Sequence, residues 1–109
     1  MERWNGGRLA VSAVTVAELE FGVEKSTRPE HNREGLAGFL MPFEVLSFDA
    51  DAAKVYGALR ADLERRGTPI GSLDLMIGAH AMALGATLVT NNLREFNRLR
   101  GLKAVNWVS

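Results

Sequence analysis

Three carboxylates, Glu18, Asp74 and Glu95, stand near the predicted ends of strands or starts of helices. Open α/β sheets bind ligands outside the carboxyl ends of their strands, so these side chains could face one crevice. Carboxylates that converge repel one another unless a hard cation such as Mg²⁺ or Mn²⁺ neutralises them. Such a cation activates a bound water and stabilises charge on a phosphoryl group, so the chemistry would be phosphodiester hydrolysis.

Each of the three acids also has a purely structural interpretation. Thr15 and Glu18 match a T-x-x-E capping box, in which the two residues satisfy each other's backbone donors. Asp74 at a helix N-terminus is stabilised by the helix dipole without any ligand. Glu95, which follows Arg94, is typical of a solvated surface. From the residues alone, both interpretations stay open for each acid.

The two histidines, His31 and His80, do not indicate a site of their own. His31 lies in a charged segment and is predicted to be exposed. His80 follows Asp74 by about 600° of helical turn, so the two side chains point to different faces. His80 is therefore predicted to pack or to cap rather than to bind a metal. The sequence also shows no Ser/His/Asp arrangement and no glycine-rich phosphate-binding motif.

Length and composition favour one small globular domain. The chain has 109 residues, of which 47% are hydrophobic, enough for a core and unlike a disordered chain. Thirteen Lys and Arg balance thirteen Asp and Glu, so any nucleic-acid contact must use a local basic patch. The chain has no cysteine, which excludes disulfides and thiolate metal sites. No apolar run approaches the roughly 18 residues of a membrane span, and residues 1–8 do not resemble a signal peptide, so we expect a cytoplasmic protein.

The hydrophobic pattern predicts alternating strands and helices, which favours an α/β fold with a mainly parallel sheet. Asp49 and Ser72 are predicted N-caps, and Gly67 is predicted to end the helix that Asp49 begins. Leu73 and Ile77 start the apolar stripe of the next helix. The predicted strands are residues 9–12, 45–48, 87–90 and 103–107, and the predicted helices are 14–23, 29–41, 50–66, 73–84 and 93–98, after a loop over residues 1–8.

Several segments carry a family resemblance in their order and spacing. They are VSAVTVAELEFG (residues 11–22), PIGSLDLMI (69–77), VTNNLREF (89–96) and the pairs Gly101-Leu102 and Asn106-Trp107. Together they resemble the VapC-type toxins of the PIN-domain ribonucleases over essentially the whole chain. The resemblance implies a PIN-like three-layer α/β/α fold. It also implies a Mg²⁺- or Mn²⁺-dependent endoribonuclease toxin of a type II toxin–antitoxin pair, with RNA as substrate, a VapB-type antitoxin as partner and a homodimeric assembly.

The same resemblance implies roles for five residues. Glu18, Asp74 and Glu95 match acidic residues of the family, which makes them the implied catalytic residues and the ligands of a Mg²⁺ or Mn²⁺ ion. Asn92 falls where many PIN domains carry an aspartate, so the fourth acid is here either Glu95 or absent. Thr90 matches a hydroxyl that lies near the metal in the family and could orient a water.

The chain departs from the family at its start. The family begins with a strand and a helix, and an aspartate at the end of that strand is a principal metal ligand. Residues 1–8 contain no aspartate, so we interpret residues 1–109 as a single, partial PIN domain that is N-terminally truncated. The family's first strand is central in the sheet. Its loss would leave backbone groups unpaired unless the strands at Leu9 and Thr87 close the gap or another chain fills it.

Three interpretations of this departure stay open. The first is a ribonuclease toxin truncated by a misplaced start, a clipped chain or a decayed gene. The second is a catalytically inactive module that only binds an antitoxin or a second copy. The third is a PIN-type nuclease of RNA maturation.

Six arginines could form a rim that binds RNA phosphates near the crevice, since phosphate contacts dominate nucleic-acid affinity. An ordinary solvated surface is the alternative for each of them. They are Arg60, Arg65, Arg66, Arg94, Arg98 and Arg100.

Overall fold

The computed structural model describes residues 2–3 by their backbone and residues 9–90 and 92–106 with their side chains. Strands and helices alternate along this part of the chain, as the hydrophobic pattern predicts. The elements are β1 (Glu2–Arg3), β2 (Leu9–Ser12), α1 (Ala13–Glu24), α2 (Pro29–Leu40), β3 (Glu44–Leu46), α3 (Ala50–Arg66), α4 (Ser72–Leu84), β4 (Thr87–Thr90), α5 (Leu93–Phe96) and β5 (Lys103–Asn106). The predicted end of the last strand, Trp107, lies outside the described residues.

The five strands form one sheet in the order β3-β2-β1-β4-β5. Strand β2 pairs with β3 in parallel, and β4 pairs with β5 in parallel. Parallel neighbours need crossover connections, and helices supply them on both sides of the sheet centre. The prediction of an α/β fold with a mainly parallel sheet is therefore confirmed.

The sheet centre corrects the prediction that residues 1–8 form a loop. Residues Glu2 and Arg3 form β1, which lies between β2 and β4 and runs antiparallel to both. Glu2 pairs with Ala10 on one side and with Leu88 on the other. The gap between β2 and β4 is thus bridged by the chain itself. A hydrophobic pattern could not predict this strand, because two polar residues adopt it only through the hydrogen bonds that their neighbours offer.

Of the three helix-capping residues that the sequence predicts, Asp49 and Gly67 are confirmed and Ser72 is not. The Asp49 side chain accepts a hydrogen bond from the Ala52 N–H at 3.0 Å, as expected of an N-cap. Gly67 ends α3 with a φ of 69°, a left-handed conformation that favours glycine. The prediction for Ser72 is wrong, because Gly71 is the N-cap of α4 and Ser72 is its first helical residue.

The main core lies where α3, α4, β4 and the α5 segment meet. Leu63 is 1% exposed and Leu88 is 1% exposed, and both belong to this cluster. The predicted stripe of α4 is wrong at Leu73, which is 42% exposed. Helix α4 is apolar on almost every face, so its periodicity could not identify the buried one. The other buried members of the cluster are Leu59, Leu75, Ala79, Ala81, Phe96 and Leu99.

The hairpin of α1 and α2 is the least buried part of the described chain. No residue of α2 is buried, and Phe21, Phe39 and Met41 are exposed. Arg33 of α2 forms ion pairs with Glu20 and Glu24 of α1, which ties the two helices together. Within the described residues, no helix combines the length and the hydropathy needed to cross a membrane. The exposed side chains of Phe21, Phe39 and Met41 give this hairpin an apolar surface.

Candidate metal-binding active site

The side chains of Asp74 and Glu95 interact, and each shifts the pKa of the other. Asp74 lies in the first turn of α4, and Glu95 lies in α5, after the end of β4. Burial raises the pKa of Asp74, and the charge of Glu95 and hydrogen bonding with Glu95 raise it further. Asp74 is therefore the member of the pair that is protonated more readily.

Glu95 is stabilised as the anion by donors from two segments. The Asn92 Nδ2 donates to Glu95 Oε2 at 2.8 Å, and the Gly71 backbone N–H donates to Glu95 Oε1 at 3.2 Å. The Asn92 hydrogen bond first, and the Gly71 hydrogen bond next, lower the pKa of Glu95. The Asp74 hydrogen bond and the charge of Arg98 act in the same direction. The two acids therefore have pKa values shifted in opposite directions within one pair.

Two arginines hold the loop between α3 and α4 in place through hydrogen bonds to backbone carbonyls. Arg98 donates through Nη1 to the Pro69 carbonyl at 3.2 Å, and Arg66 donates through Nη2 to the Arg98 carbonyl at 2.7 Å. These bonds hold the loop beside α5, where Gly71 reaches Glu95. Two arginines of the predicted phosphate rim thus also have a structural role.

Gly78 allows the α5 segment to approach α4. A Cβ on Gly78 would clash with Leu99 and would lie 3.4 Å from the ring of Phe96. Phe96 and Leu99 are 4% and 2% exposed, so both pack fully against this point. A four-residue helix is not stable alone, so this packing sets the position of Glu95. Sequence reasoning missed Gly78, although a glycine inside an apolar helix was the available signal.

Glu18 lies apart from this pair, on the exposed surface of α1. The capping-box interpretation of Thr15 and Glu18 is wrong, because Ser12 is the N-cap and its side chain accepts from the Val14 N–H at 3.1 Å. Thr15 lies inside the helix, and its buried hydroxyl has no hydrogen-bond partner among the described residues. Across residues 9–90 and 92–106, no three Asp, Glu or His side chains are grouped closely enough to hold a metal ion. The structure thus brings Asp74 and Glu95 together, without Glu18 as a third ligand.

Thr90 is the last residue of β4, and Asn92 is the N-cap of α5. The Thr90 hydroxyl accepts a hydrogen bond from the Asn92 backbone N–H at 2.9 Å. The Asn92 side chain in turn donates to Glu95. Thr90 therefore supports Asn92, and Asn92 supports Glu95. Their roles beside a metal ion stay predictions.

Both histidines are placed as the sequence predicts. His80 is 1% exposed, its Nδ1 lies 2.7 Å from the Ser12 Oγ, and Phe48 meets its ring edge-on. Burial lowers the pKa of His80, while the charge of Asp49 and a hydrogen bond with the Ser47 backbone oppose this shift. His31 is exposed. Neither histidine belongs to the Asp74–Glu95 site.

The family model of the PIN domain matches residues 1–102. This chain belongs to the PIN-domain family. Among curated relatives of this PIN domain, the tRNA(fMet)-specific endonuclease VapC of Salmonella typhimurium is 46% identical over 103 residues. The match covers 94% of this chain and 78% of that relative. The interpretation that a first strand and helix are missing stays a prediction.

Solved structures show the same PIN fold. The DNA-bound VapBC of Salmonella typhimurium superimposes with a TM-score of 0.90 at 46% identity, covering 94% of this chain and 78% of that one. VapBC-5 of Mycobacterium tuberculosis, a member of the VapBC family of toxin–antitoxin systems, superimposes with a TM-score of 0.75 at 28% identity. That match covers 89% of this chain and 79% of the other. The predicted PIN-like fold and the resemblance to VapC proteins are therefore confirmed.

The donor set of the Asp74–Glu95 pair suits a hard divalent cation. Both side chains offer carboxylate oxygens, which Mg²⁺ and Mn²⁺ prefer. The charge of Glu95 raises the pKa of Asp74, and a cation bound between the two groups would offset this repulsion. The Glu95 carboxylate already accepts hydrogen bonds from Asn92 and from the Gly71 backbone, so its orientation does not depend on the cation.

Proposed function

We propose that this PIN domain is the toxin of a type II toxin–antitoxin pair and acts as an endoribonuclease that hydrolyses RNA phosphodiester bonds with Mg²⁺ or Mn²⁺. The observation that carries the proposal is the Asp74–Glu95 pair, two interacting carboxyl groups whose pKa values are shifted in opposite directions. The names of the relatives support the reaction, since the Salmonella typhimurium relative is an endonuclease specific for a tRNA.

Asp74 and Glu95 would hold the cation. The family resemblance makes Glu18 of α1 the proposed third acidic ligand, although the described residues do not group it with this pair. When bound, the cation supplies an activated water and stabilises charge on the phosphoryl group. Asn92 orients Glu95, and Thr90 fixes Asn92. The donors to Glu95 favour its ionised form, and the raised pKa of Asp74 means that a cation competes with a proton there.

A VapB-type antitoxin and a second copy of the chain are the proposed protein partners, in the cytoplasm. The superimposed relatives are VapBC complexes, which supports an antitoxin partner. The α1–α2 hairpin offers the apolar surface that such a partner would cover, since Phe21 is 59% and Met41 is 84% exposed. Exposed apolar patches of this kind mark interaction sites in monomeric folds.

Asp74→Asn tests the proposal. The amide carries no negative charge with which to bind the cation, so we expect Mg²⁺-dependent cleavage of an RNA substrate to be abolished. Asp51→Asn is the matched control, because Asp51 also lies in the first turn of a helix but is exposed on α3. Cleavage by Asp74→Asn at the rate of the parent would refute the metal assignment. A loss of cleavage in both variants would show a general effect of helix charge.

A catalytically inactive interaction module is the second candidate. One observation favours it: in the described residues two carboxylates meet, not three. Titration of Mn²⁺ into the 109-residue chain separates the two candidates. Stoichiometric Mn²⁺ binding together with RNA cleavage would rule out the inactive module, whereas absence of both in a folded chain would support it.

A further inference from the structure

Two hydrogen bonds that run in opposite directions join the loop before α4 to the α5 segment. The Gly71 N–H donates to Glu95 Oε1 at 3.2 Å, and Arg98 Nη1 donates to the Pro69 carbonyl at 3.2 Å. Glu95 and Arg98 are three residues apart, and the Arg98 N–H bonds to the Glu95 carbonyl at 3.1 Å. At this helical spacing the two side chains lie on one side of the turn, so both can reach the same loop.

The backbone of Arg98 is itself held by α3. Its carbonyl accepts from Arg66 Nη2 at 2.7 Å, and Arg66 Nε donates to Asp62 Oδ2 at 2.9 Å, one turn earlier in the same helix. A hydrogen bond from a charged guanidinium is stronger than one between neutral groups. The Arg98 side chain therefore starts from a fixed point and is available to restrain the loop.

Gly71 has no side chain with which to fix its own position. It is the N-cap of α4 and makes no side-chain cap hydrogen bond, and a Cβ placed there would meet nothing within 4 Å. The bond from Arg98 to Pro69 lies two residues earlier in the loop. It restrains the loop at the point where the glycine cannot, beside the N–H that reaches Glu95.

We propose that Arg98 is a positioning residue: its hydrogen bond to the Pro69 carbonyl keeps the Gly71 N–H on the Glu95 carboxylate and so fixes the orientation of that carboxylate. This inference rests on the proposed function, in which Glu95 takes part in RNA cleavage. It requires the contact between the loop and the α5 segment, and it involves no third acid. It also assigns the Arg98 guanidinium to the loop, not to an RNA phosphate.

Gly71 offers a matched pair of substitutions that test the bond to Glu95. Its φ of −58° and ψ of 144° suit proline, so Gly71→Pro deletes the N–H and keeps the backbone conformation. Gly71→Ala keeps the N–H and adds a Cβ in open space. We expect Gly71→Pro to lose about tenfold in kcat, as loss of a supporting bond does at metal sites, and Gly71→Ala to stay within about twofold of the parent.

Arg98→Met removes the donor and keeps an unbranched side chain. We expect kcat to fall about tenfold, with KM for RNA within about twofold of the parent. Lys54→Met is the control, because Lys54 is exposed on α3 and its replacement changes the net charge equally. All variants are compared where circular dichroism shows them folded. A higher KM at unchanged kcat in Arg98→Met, or an equal loss of kcat in Lys54→Met, would overturn the inference.

A double-mutant cycle separates the loop contact from a general effect of the Arg98 charge. If Arg98 acts by holding the Gly71 N–H, Arg98→Met should cost less than about twofold in kcat in a Gly71→Pro background, where that N–H is absent. A further loss of about tenfold in this background would show that Arg98 acts independently of Gly71, and would overturn the inference.

The NMR signal of the Gly71 amide reports the same contact without catalysis. In Arg98→Met its proton should move upfield and exchange with solvent about tenfold faster, whereas Lys54→Met should change neither. If Asp74→Asn cleaves RNA like the parent, the metal assignment fails, but the Gly71 amide still decides whether Arg98 holds the loop. An unchanged Gly71 amide in Arg98→Met would overturn the inference in either case.

Discussion

Leu99 packs directly over Gly78, at the place where any other residue would have its Cβ. Gly78→Ala should therefore lower the free energy of unfolding by about 1–3 kcal/mol, because the methyl group overpacks the contact between α4 and α5. Thermal or urea unfolding measures the loss, and Mn²⁺ titration should show weaker binding because Glu95 is displaced.

Gly57→Ala is the control for this substitution. Gly57 lies inside α3, and a Cβ there would meet nothing within 4 Å. Alanine is the better helix former, so this variant should gain up to about 1 kcal/mol. A Gly78→Ala variant that is as stable as Gly57→Ala would contradict the proposed close approach.

Removing the proton of Asp74 should cost stability when no divalent cation is present. The pKa of Asp74 is raised in the folded chain, by burial first and by Glu95 next, so the folded state holds this proton where the unfolded state has lost it. The free energy of unfolding should then decrease as the pH rises from the ordinary carboxyl range through the raised pKa. Urea unfolding across this range measures the slope.

Asp74→Asn should flatten this decrease, whereas Asp51→Asn should leave it unchanged. Cation binding should follow the opposite trend, because Mn²⁺ must displace the same proton, so its affinity should increase as the pH rises. Isothermal titration at several pH values measures it. Equal affinities below and above the raised pKa of Asp74 would contradict a role of Asp74 as a cation ligand.

Asn92→Ala should weaken cation binding about tenfold, as the loss of a supporting hydrogen bond does at metal sites. Without the Asn92 donor, the lowered pKa of Glu95 moves back towards its ordinary value. Because its pKa is lowered, Glu95 stabilises the fold above the ordinary carboxyl pKa, and this contribution is lost as the pH falls through the lowered pKa. We expect the contribution to be smaller in Asn92→Ala.

Asn97→Ala is the matched control, because Asn97 is an exposed asparagine one turn away whose backbone N–H bonds to Leu93. Alanine keeps that bond, so Mn²⁺ affinity should not change. If Asn97→Ala and Asn92→Ala weaken the cation equally, the Asn92 side chain is not the support of Glu95.

Arg94 and Arg100 should carry more of the RNA affinity than Arg60. Both are exposed and Arg94 directly precedes Glu95, whereas Arg60 bonds to Glu64 at 3.0 Å and to Tyr56 at 3.2 Å. In an uncleaving Asp74→Asn background, Arg94→Ala or Arg100→Ala should reduce the slope of log K against log salt by about 0.7. Fluorescence anisotropy measures this, and an equal reduction by Arg60→Ala would place the contact elsewhere.

The order of elements from β2 to β5 was predictable because each of them carries a local signal. Asp49 and Gly67 show their roles through capping chemistry, and the fold class follows from the alternation of strands and helices. Ser72 misled the prediction because the true cap, Gly71, donates to a side chain 24 residues further along. A contact of that kind has no trace in local propensity.

The site was predictable only in its residue types. The sequence could place Asp74 and Glu95 near one sheet edge, but their opposite pKa shifts depend on contacts in space that the sequence does not show. Gly78 and the loop contact of Arg98 escaped the prediction for the same reason, since each acts through a partner from a distant segment. The short strand at the sheet centre is a further case, because its partners, not its own side chains, make it a strand.

Sequence separation divides the site into an early and a late part of folding. Gly71 and Glu95 lie 24 residues apart, whereas Ser12 and His80 lie 68 residues apart. Closing the longer loop costs about 0.9 kcal/mol more in chain entropy. A refolding chain should therefore form the Gly71–Glu95 contact before the Ser12–His80 contact, with higher φ-values for Gly71 and Glu95 than for Ser12. The part of the chain that holds Asp74 and Glu95 would then fold first, and β2 and α1 would join it later.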